Sequence, residues 1–318
     1  MSKTRIFFTS DVHGSDVVFT KFLNSAKFYK ANVLILGGDI TGKMIVPILE
    51  TSDGKHKARY LGSQRILENK DELSRFEKLL HSVGYYVYET DEKQMQEFEA
   101  DPGKIDKLFL ELMLERVEKW VNMADEKLQG TGVKCFILPG NDDRYEIDDV
   151  LKHSKIAVNP EGTVQQIDDN HEMISSGHTN ITPWKCPRDI SEEELEKVIE
   201  AMASKLQNPS NAIFCLHCPP YNTLLDSAPI LTEDLKLQME PGGGFKMGPA
   251  GSVSVRKAIE KYQPLLGLHG HIHESRSATK IGRTLCLNPG SEYGEGVLRG
   301  AVIEIDEKKV RDYAFTQG

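Results

Sequence analysis

The ten residues 264–273, PLLGLHGHIH, combine an apolar run with three of the chain's ten histidines. In an extended strand, side chains two residues apart point to the same side, so His271 and His273 can direct their rings to one place. Neutral imidazole is the commonest metal ligand in proteins. The stretch therefore predicts a buried strand that ends at a metal site, if other parts of the chain supply further ligands.

Four earlier segments have the same form, a short apolar run that ends at a polar residue able to bind metal. Residues 4–9 lead to Asp11 and His13, and residues 33–36 lead to Asp39. Residues 135–138 lead to Asn141, and residues 213–216 lead to His217. Buried parallel strands read as short apolar runs, and ligands bind at their carboxyl ends. The five runs predict a buried sheet with its site at the strand ends.

The interval of about residues 43–132 interrupts this series. Within it, residues 57–62 favour a small hairpin, residues 71–80 a helix and residues 104–128 a long amphipathic helix. We expect a helical insertion in a single domain of residues 1–318. Because it begins just after Asp39 and ends just before the strand of Asn141, it should shape access to the site. Short strands at 284–287, 301–305 and 310–314 are expected to form a second sheet.

Composition excludes several classes of protein. The 318 residues are 39% hydrophobic and 27% charged, as in globular proteins. No apolar run approaches the ~20 residues of a membrane span, and the N-terminus lacks the features of a secretory signal, so we expect a cytoplasmic protein without a membrane partner. The odd count of five cysteines favours reduced thiols. A net charge of -9 argues against duplex nucleic acid as a partner, and the oligomeric state stays open.

Together the strand-end residues form a set of nitrogen and oxygen donors: Asp11, His13, Asp39, Asn141, His217, His271 and His273. Such a set suits Mn²⁺, Fe²⁺ or Zn²⁺ better than Ca²⁺ or Mg²⁺, which prefer oxygen alone. Seven ligands exceed what one zinc ion holds, so two divalent ions are expected. Two ions about 3.5–4 Å apart form the clamp that proteins use to hydrolyse phosphate esters.

The chain resembles the calcineurin-like metallophosphoesterase superfamily in five ordered blocks: Asp11-x-His13, Gly38-Asp39, Gly140-Asn141-Asp142, His217 and Gly270-His271-x-His273. The resemblance implies an α/β fold, a four-layer αββα sandwich of two mixed sheets flanked by helices. It implies one metal ion on Asp11, His13 and His273. The second ion would bind to Asn141, His217 and His271, with Asp39 bridging the two. A hydroxide between the ions would attack phosphorus.

One position departs from the commoner pattern of that superfamily. Many members have Gly-Asn-His there, and the histidine serves the leaving oxygen; this chain has Asp142, followed by Asp143. Two roles for Asp142 stay open: transfer of a proton, which requires a raised pKa, or orientation of a ligand histidine. Asp142 and Asn141 are therefore the candidate catalytic residues. The absence of the imidazole suits phosphodiesters with stable leaving groups at least as well as monoesters.

Three further residues lie near these blocks in the sequence. Asn180 is expected either to reach a phosphate oxygen or to pack within its loop, and Tyr221 either to stack on a base or to pack. They are the candidate substrate-binding residues. His269 shares strand parity with His271, but the resemblance assigns it no metal, so a supporting role is expected.

The sequence thus predicts a dinuclear metal-dependent phosphoesterase for a small phosphoester or a nucleotide, with phosphodiesters favoured. The alternatives are a phosphomonoesterase or protein phosphatase, a nuclease, and a non-catalytic scaffold that keeps the fold. The complete ligand set argues against the scaffold. The acidic net charge argues against the nuclease.

Overall fold

The computed structural model describes residues 3–232 and 234–318. The helices are α1 (Asp16–Phe28), α2 (Lys70–Ser82), α3 (Glu92–Ala100), α4 (Pro102–Leu128), α5 (Ile147–Leu151), α6 (Glu192–Ala203) and α7 (Val253–Tyr262). The strands of the first half are β1 (Thr4–Thr9), β2 (Val33–Gly37), β3 (Ile45–Glu50), β4 (His56–Tyr60), β5 (Ser63–Leu67), β6 (Tyr86–Thr90), β7 (Lys134–Leu138), β8 (Ala157–Val158) and β9 (Val164–Gln166). The remaining strands are β10 (Glu172–Ser176), β11 (Thr179–Asn180), β12 (Asp189–Ile190), β13 (Ile213–Leu216), β14 (Ser227–Pro229), β15 (Met247–Pro249), β16 (Leu266–Leu268), β17 (Ser277–Ile281), β18 (Thr284–Asn288), β19 (Arg299–Ile305) and β20 (Val310–Gln317).

Two mixed six-stranded sheets form the centre of the molecule. The first has the order β20-β19-β1-β2-β7-β8, in which β1, β2, β7 and β8 are parallel and β19 and β20 are antiparallel. The second has the order β17-β18-β16-β13-β10-β9, with four parallel strands between two antiparallel edge strands. Parallel strands need both faces covered, and the layers on either side provide this cover.

Alternation along β1 shows how the layers are held together. Phe7 packs with Trp120 and the other apolar residues of α1 and α4 on the outer face of the first sheet. Ile6 and Phe8 point the other way, into a core between the sheets that includes Ile213 of β13. A third core joins the outer face of the second sheet to α6 and α7. The fold is therefore an αββα sandwich, as predicted.

The five apolar runs divide between the two sheets, which the sequence did not show. β1, β2 and β7 belong to the first sheet, and β13 and β16 belong to the second. The predicted strand at 284–287 lies beside β16, whereas those at 301–305 and 310–314 extend the first sheet next to β1. Both sheets are buried on two faces, so similar apolar runs fit either one.

The interval 43–132 contains the predicted hairpin, β4–β5, and the two predicted helices, α2 and α4. It also contains a four-stranded sheet, β5-β4-β3-β6, so its prediction as a helical insertion was incomplete. Pro47 lies within β3, and a proline normally argues against a strand. A small core that includes Ile48 and Phe76 joins this sheet to α2. Among the described residues, no helix has both the length and the apolar character that crossing a membrane requires.

Candidate metal centre

The carboxyl ends of five strands meet at one edge of the two sheets, and the structure brings the seven predicted ligands together there. Each side chain follows a strand end: Asp11 and His13 follow β1, Asp39 follows β2, Asn141 follows β7, His217 follows β13, and His271 and His273 follow β16. The first five of these are buried, and the last two are partly exposed. Polar residues are costly to bury unless they are paired or bind a ligand, so the arrangement indicates a site.

One cluster contains Asp11, His13, Asp39 and His273, whose donor atoms all lie within 4.8 Å of one another. The Nε2 atoms of His13 and His273 are 3.1 Å apart. Nε2 of His273 lies 3.4 Å from Oδ1 of Asp11, and Nε2 of His13 lies 3.5 Å from Oδ2 of Asp39. Two carboxylates and two imidazoles thus face a common point.

A second cluster contains Asp39, His217 and His271. Nδ1 of His217 is 2.8 Å from the carbonyl oxygen of Gly37, to which it can donate. That bond leaves Nε2 directed at Oδ1 of Asp39, 3.4 Å away. The two oxygens of Asp39 therefore face different clusters, which is the geometry required of a bridging carboxylate.

Among the described residues, three buried atoms of the predicted ligands lack a hydrogen-bond partner. They are Nδ1 of His13, Nε2 of His217 and Oδ1 of Asn141. The amide nitrogen of Asn141 donates to Oδ1 of Asp189 at 3.1 Å, which leaves its oxygen unpaired. A buried polar atom without a partner costs about 1–3 kcal/mol, and bound cations would remove this cost at Nε2 of His217 and at Oδ1 of Asn141. The residues present therefore fit a pair of divalent ions.

The turns that carry the ligands have unusual backbone conformations. Asp11, His13, Asp39 and His271 have φ values of 57°, 39°, 51° and 67°, a region that residues other than glycine seldom occupy. Such residues concentrate at functional sites. Gly38, with a φ of 122°, is needed where it stands, because a Cβ there would lie 2.1 Å from Nδ1 of His217.

Burial and nearby charges shift the pKa values of the candidate ligands in opposite directions. Burial lowers the pKa of His271 to about 4. Burial also acts to lower the pKa of His217, but the Asp39 carboxylate outweighs it and raises that pKa to about 10. The pKa of His273 is raised in the same way, mainly by Asp11. Burial would raise the pKa of Asp11, yet the hydrogen bond to His273 and the nearby imidazoles bring it well below its usual value.

Two carboxylates that the sequence did not identify hold the ligand loops. Asp143 is buried and accepts hydrogen bonds from the backbone N–H groups of Ile40, Thr41 and Gly140 at 2.7–2.9 Å, so it ties the loop after β2 to the loop after β7. Asp189 orients the amide of Asn141. The pair of acidic residues after Asn141 was a sequence signal for Asp143, but nothing in the sequence indicates that Asp189 has this role.

Asp142 has different neighbours from those predicted. Its carboxylate forms an ion pair with Lys43 and accepts a hydrogen bond from the thiol of Cys186 at 2.8 Å. Its hydrogen bonds therefore do not orient a ligand histidine. Burial acts to lower the pKa of Lys43, but Asp39 and Asp142 raise it above its usual value, so Lys43 is a cation beside the centre. The sequence analysis did not identify Lys43. Its position four residues after Asp39 was the only sequence signal that it lies near the centre.

A cavity of about 1270 Å³ opens on the centre, with Asp39, Asn141 and His271 among its lining residues. Asn180 also lines this cavity, and its Oδ1 lies 3.0 Å from Sγ of Cys218. Tyr221 is 38% exposed and lies outside the lining, so the structure does not bring it to the centre.

His269 belongs to neither cluster. Its Nδ1 lies 2.8 Å from the carbonyl oxygen of Leu216 and 3.1 Å from that of Cys218. These contacts join the ends of β13 and β16, which is the position expected of a supporting residue.

Comparisons with known proteins agree with this architecture. No protein-family model matches the chain. The chain is 31% identical over 178 residues to the uncharacterized protein MJ1162 of Methanocaldococcus jannaschii, which is 55% of this chain and 70% of that protein. The crystal structure of TT1561 of Thermus thermophilus aligns with 100% of this chain and 99% of its own, with 14% identity and a TM-score of 0.55. A further crystal structure aligns over 99% of both chains, with 17% identity and a TM-score of 0.59.

The two structural matches concern the fold alone, whereas the match to MJ1162 places both proteins in one family. The chain therefore belongs to the same family as MJ1162. Its αββα sandwich, and the meeting of the ordered motifs at one edge of the sheets, agree with the fold that the resemblance to the calcineurin-like metallophosphoesterase superfamily implies.

Proposed function

We propose that this protein is a metal-dependent hydrolase of phosphoric esters that binds two divalent ions, Mn²⁺, Fe²⁺ or Zn²⁺, and acts on a small phosphodiester or a nucleotide. The observation that carries the proposal is the pair of donor clusters that share Asp39. One ion would bind to Asp11, His13 and His273, and the other to Asn141, His217 and His271. We also propose that it works in the cytoplasm.

When bound, the ions supply positive charge that stabilises the phosphoryl group and makes water acidic enough to attack near neutral pH. The protein's part is to fix the ligand positions before substrate arrives. Asp39 faces both clusters, and Lys43 adds a cation at the rim of the centre. Hydrolysis breaks the bond between phosphorus and the leaving oxygen; the hydroxyl of water goes to phosphorus and its proton goes to the leaving group.

The neighbours of Asp142 support the preference for diesters. No imidazole stands where many superfamily members place the group that serves the leaving oxygen. The Asp142 carboxylate is instead engaged by Lys43 and by the thiol of Cys186. A site without a strong acid favours leaving groups that depart readily as anions.

The test compares two chromogenic esters after the protein has been stripped of metal and reloaded with one ion at a time. We expect hydrolysis of bis-p-nitrophenyl phosphate to exceed that of p-nitrophenyl phosphate with at least one of these ions. Asp39→Ala should lose metal binding and activity together. Asp149→Ala, which removes an exposed carboxylate that belongs to neither cluster, should keep both.

Four results would contradict the proposal. Full activity in Asp39→Ala would show that the shared carboxylate is not needed. A purified protein that binds no stoichiometric metal would support the scaffold alternative. Faster hydrolysis of the monoester would overturn the preference for diesters, and cleavage of single-stranded DNA or RNA would indicate a nuclease.

A further inference from the structure

We infer that the cavity beside the metal centre binds an extended apolar group of the substrate, so that the substrate is an amphiphilic phosphoester such as an alkyl or acyl-chain phosphate ester. This inference rests on the proposed function for the phosphate end alone. The apolar end is argued from the walls of the cavity.

The cavity is larger than a phosphate needs and continuous with the centre. At about 1270 Å³ it exceeds the ~300–1,000 Å³ of typical ligand sites. The charged residues of its lining other than histidine are Asp39, Lys43, Asp142 and Glu274. Asp39 is a proposed metal ligand, Asp142 and Glu274 each follow one in the sequence, and Lys43 is paired with Asp142. A ligand with one charged end and one apolar end matches this division.

Three separate elements supply the apolar walls. Phe109 and Met113 come from α4 of the inserted interval. Trp184 lies in the loop between β11 and β12, and it is 64% exposed. Leu235 and Leu237 come from the excursion between β14 and β15, and Leu237 is 45% exposed. Exposed apolar side chains gathered around one cavity indicate a binding site.

Two polar side chains on these walls are already engaged within the protein. The hydroxyl of Thr182 donates to Asp189, and the hydroxyl of Thr232 donates to Asp234, both at 2.5 Å. A nucleoside needs hydrogen-bond partners for its sugar and base, and these two hydroxyls already donate to groups within the protein. An alkyl or acyl chain needs none, because burial of its surface provides the binding free energy.

The experiment uses methyl, butyl and hexyl p-nitrophenyl phosphate, which share a leaving group and differ in the second ester. Full burial of a methylene raises affinity roughly fourfold, and half-exposed walls should give about twofold. The metal-loaded protein should therefore hydrolyse the hexyl ester with a kcat/KM about 30-fold above that of the methyl ester. Calorimetry with methyl and hexyl phosphate should show a similar ratio of dissociation constants.

Two variants locate the effect. Trp184→Ser and Leu237→Ser should each lower the hexyl-to-methyl ratio by about fivefold, because each removes an apolar wall. Leu61→Ser is the matched control: Leu61 is 77% exposed in the β4–β5 turn, outside the cavity lining, and its loss should leave the ratio unchanged.

Equal kcat/KM values for the methyl and hexyl esters would overturn the inference. So would a chain-length effect that Leu61→Ser lowers as much as Trp184→Ser does. Sedimentation of the protein with phospholipid vesicles, without any chain-length effect, would also overturn it and assign the apolar surface to a membrane. If no ester is hydrolysed, the proposed function fails, and the calorimetric ratio for the alkyl phosphates still decides the inference.

Discussion

Replacing Asp189 by asparagine should weaken one of the two proposed metal sites and leave the other intact. One oxygen of Asp189 accepts hydrogen bonds from the amide of Asn141 at 3.1 Å and from the hydroxyl of Thr179 at 3.0 Å. The other accepts from the backbone N–H groups of Thr182 and Cys186, both at 2.9 Å. An asparagine that keeps its oxygen toward these two N–H groups must turn its own NH₂ toward Asn141.

That arrangement places two hydrogen-bond donors, the NH₂ groups of the two asparagines, opposite each other. The amide of Asn141 can avoid the clash by rotating, which directs its nitrogen instead of its oxygen at the metal position. A hydrogen bond to a charged group contributes about 1.5–3 kcal/mol, and a change in the partner of a ligand typically lowers metal affinity about 10–100-fold. The expected loss is therefore about 10–100-fold at the site of Asn141, His217 and His271.

The assay is a titration of the metal-free protein with Mn²⁺ or Zn²⁺ against a chelating dye, which resolves the two binding steps. Asp125→Asn is the matched control. Asp125 also accepts several hydrogen bonds, from the hydroxyl of Ser154 and the N–H groups of Lys155 and Ile156. These three residues belong to neither donor cluster and do not line the cavity. Equal metal affinities in the two variants, or equal losses at both sites, would refute the proposed role of Asp189.

Two further predictions concern His217 and its surroundings. With a pKa of about 10 in the metal-free protein, His217 holds a proton at pH 7, so metal binding should release that proton. The apparent affinity for the metal should therefore rise about tenfold per pH unit. Calorimetry in buffers of different ionisation enthalpy measures the proton release, and its absence would contradict the assigned cluster. Gly38→Ala should lower stability by about 1–3 kcal/mol in urea unfolding, because its Cβ would lie 2.1 Å from the His217 ring. Gly54→Ala, where φ is also positive but no atom lies within 4 Å, should cost less, and equal costs would show that the contact is unimportant.

The meeting of the candidate ligands at one place could be predicted because each position depends on local sequence. An apolar run of four or five residues, followed by a polar residue, marks a buried strand end such as that before Asp39. The parallel-strand rule then brings those ends together without any knowledge of which strands are neighbours. This is why Asn141 and His217, which follow strands in different sheets, could be grouped from the sequence alone.

The rest depends on contacts between distant segments. Asp189 lies 48 residues from Asn141, and its carboxylate has no local pattern that distinguishes it from an exposed acid. Trp184 and Leu237 read as loop residues until the fold places them around one cavity. Tyr221 follows a predicted ligand strand closely, yet its chain direction takes it away from the cavity. Nearness in the sequence therefore locates the ends of strands better than it locates the loops beyond them.

Hydrogen bonds between the strained turns of the centre stabilise their conformations. Positive φ at a residue other than glycine costs of the order of 1–3 kcal/mol, and four of the candidate ligands have it: Asp11, His13, Asp39 and His271. The N–H of Asp11 donates to the carbonyl oxygen of Gly38 at 2.9 Å, and the N–H of His13 donates to the backbone carbonyl oxygen of Asp39 at 3.0 Å. The N–H of His271, from the other sheet, donates to the Asp11 carboxylate at 3.1 Å. Because these bonds join the three turns within the protein, the ligand geometry is set by the fold, and bound ions would enter an arrangement that already exists.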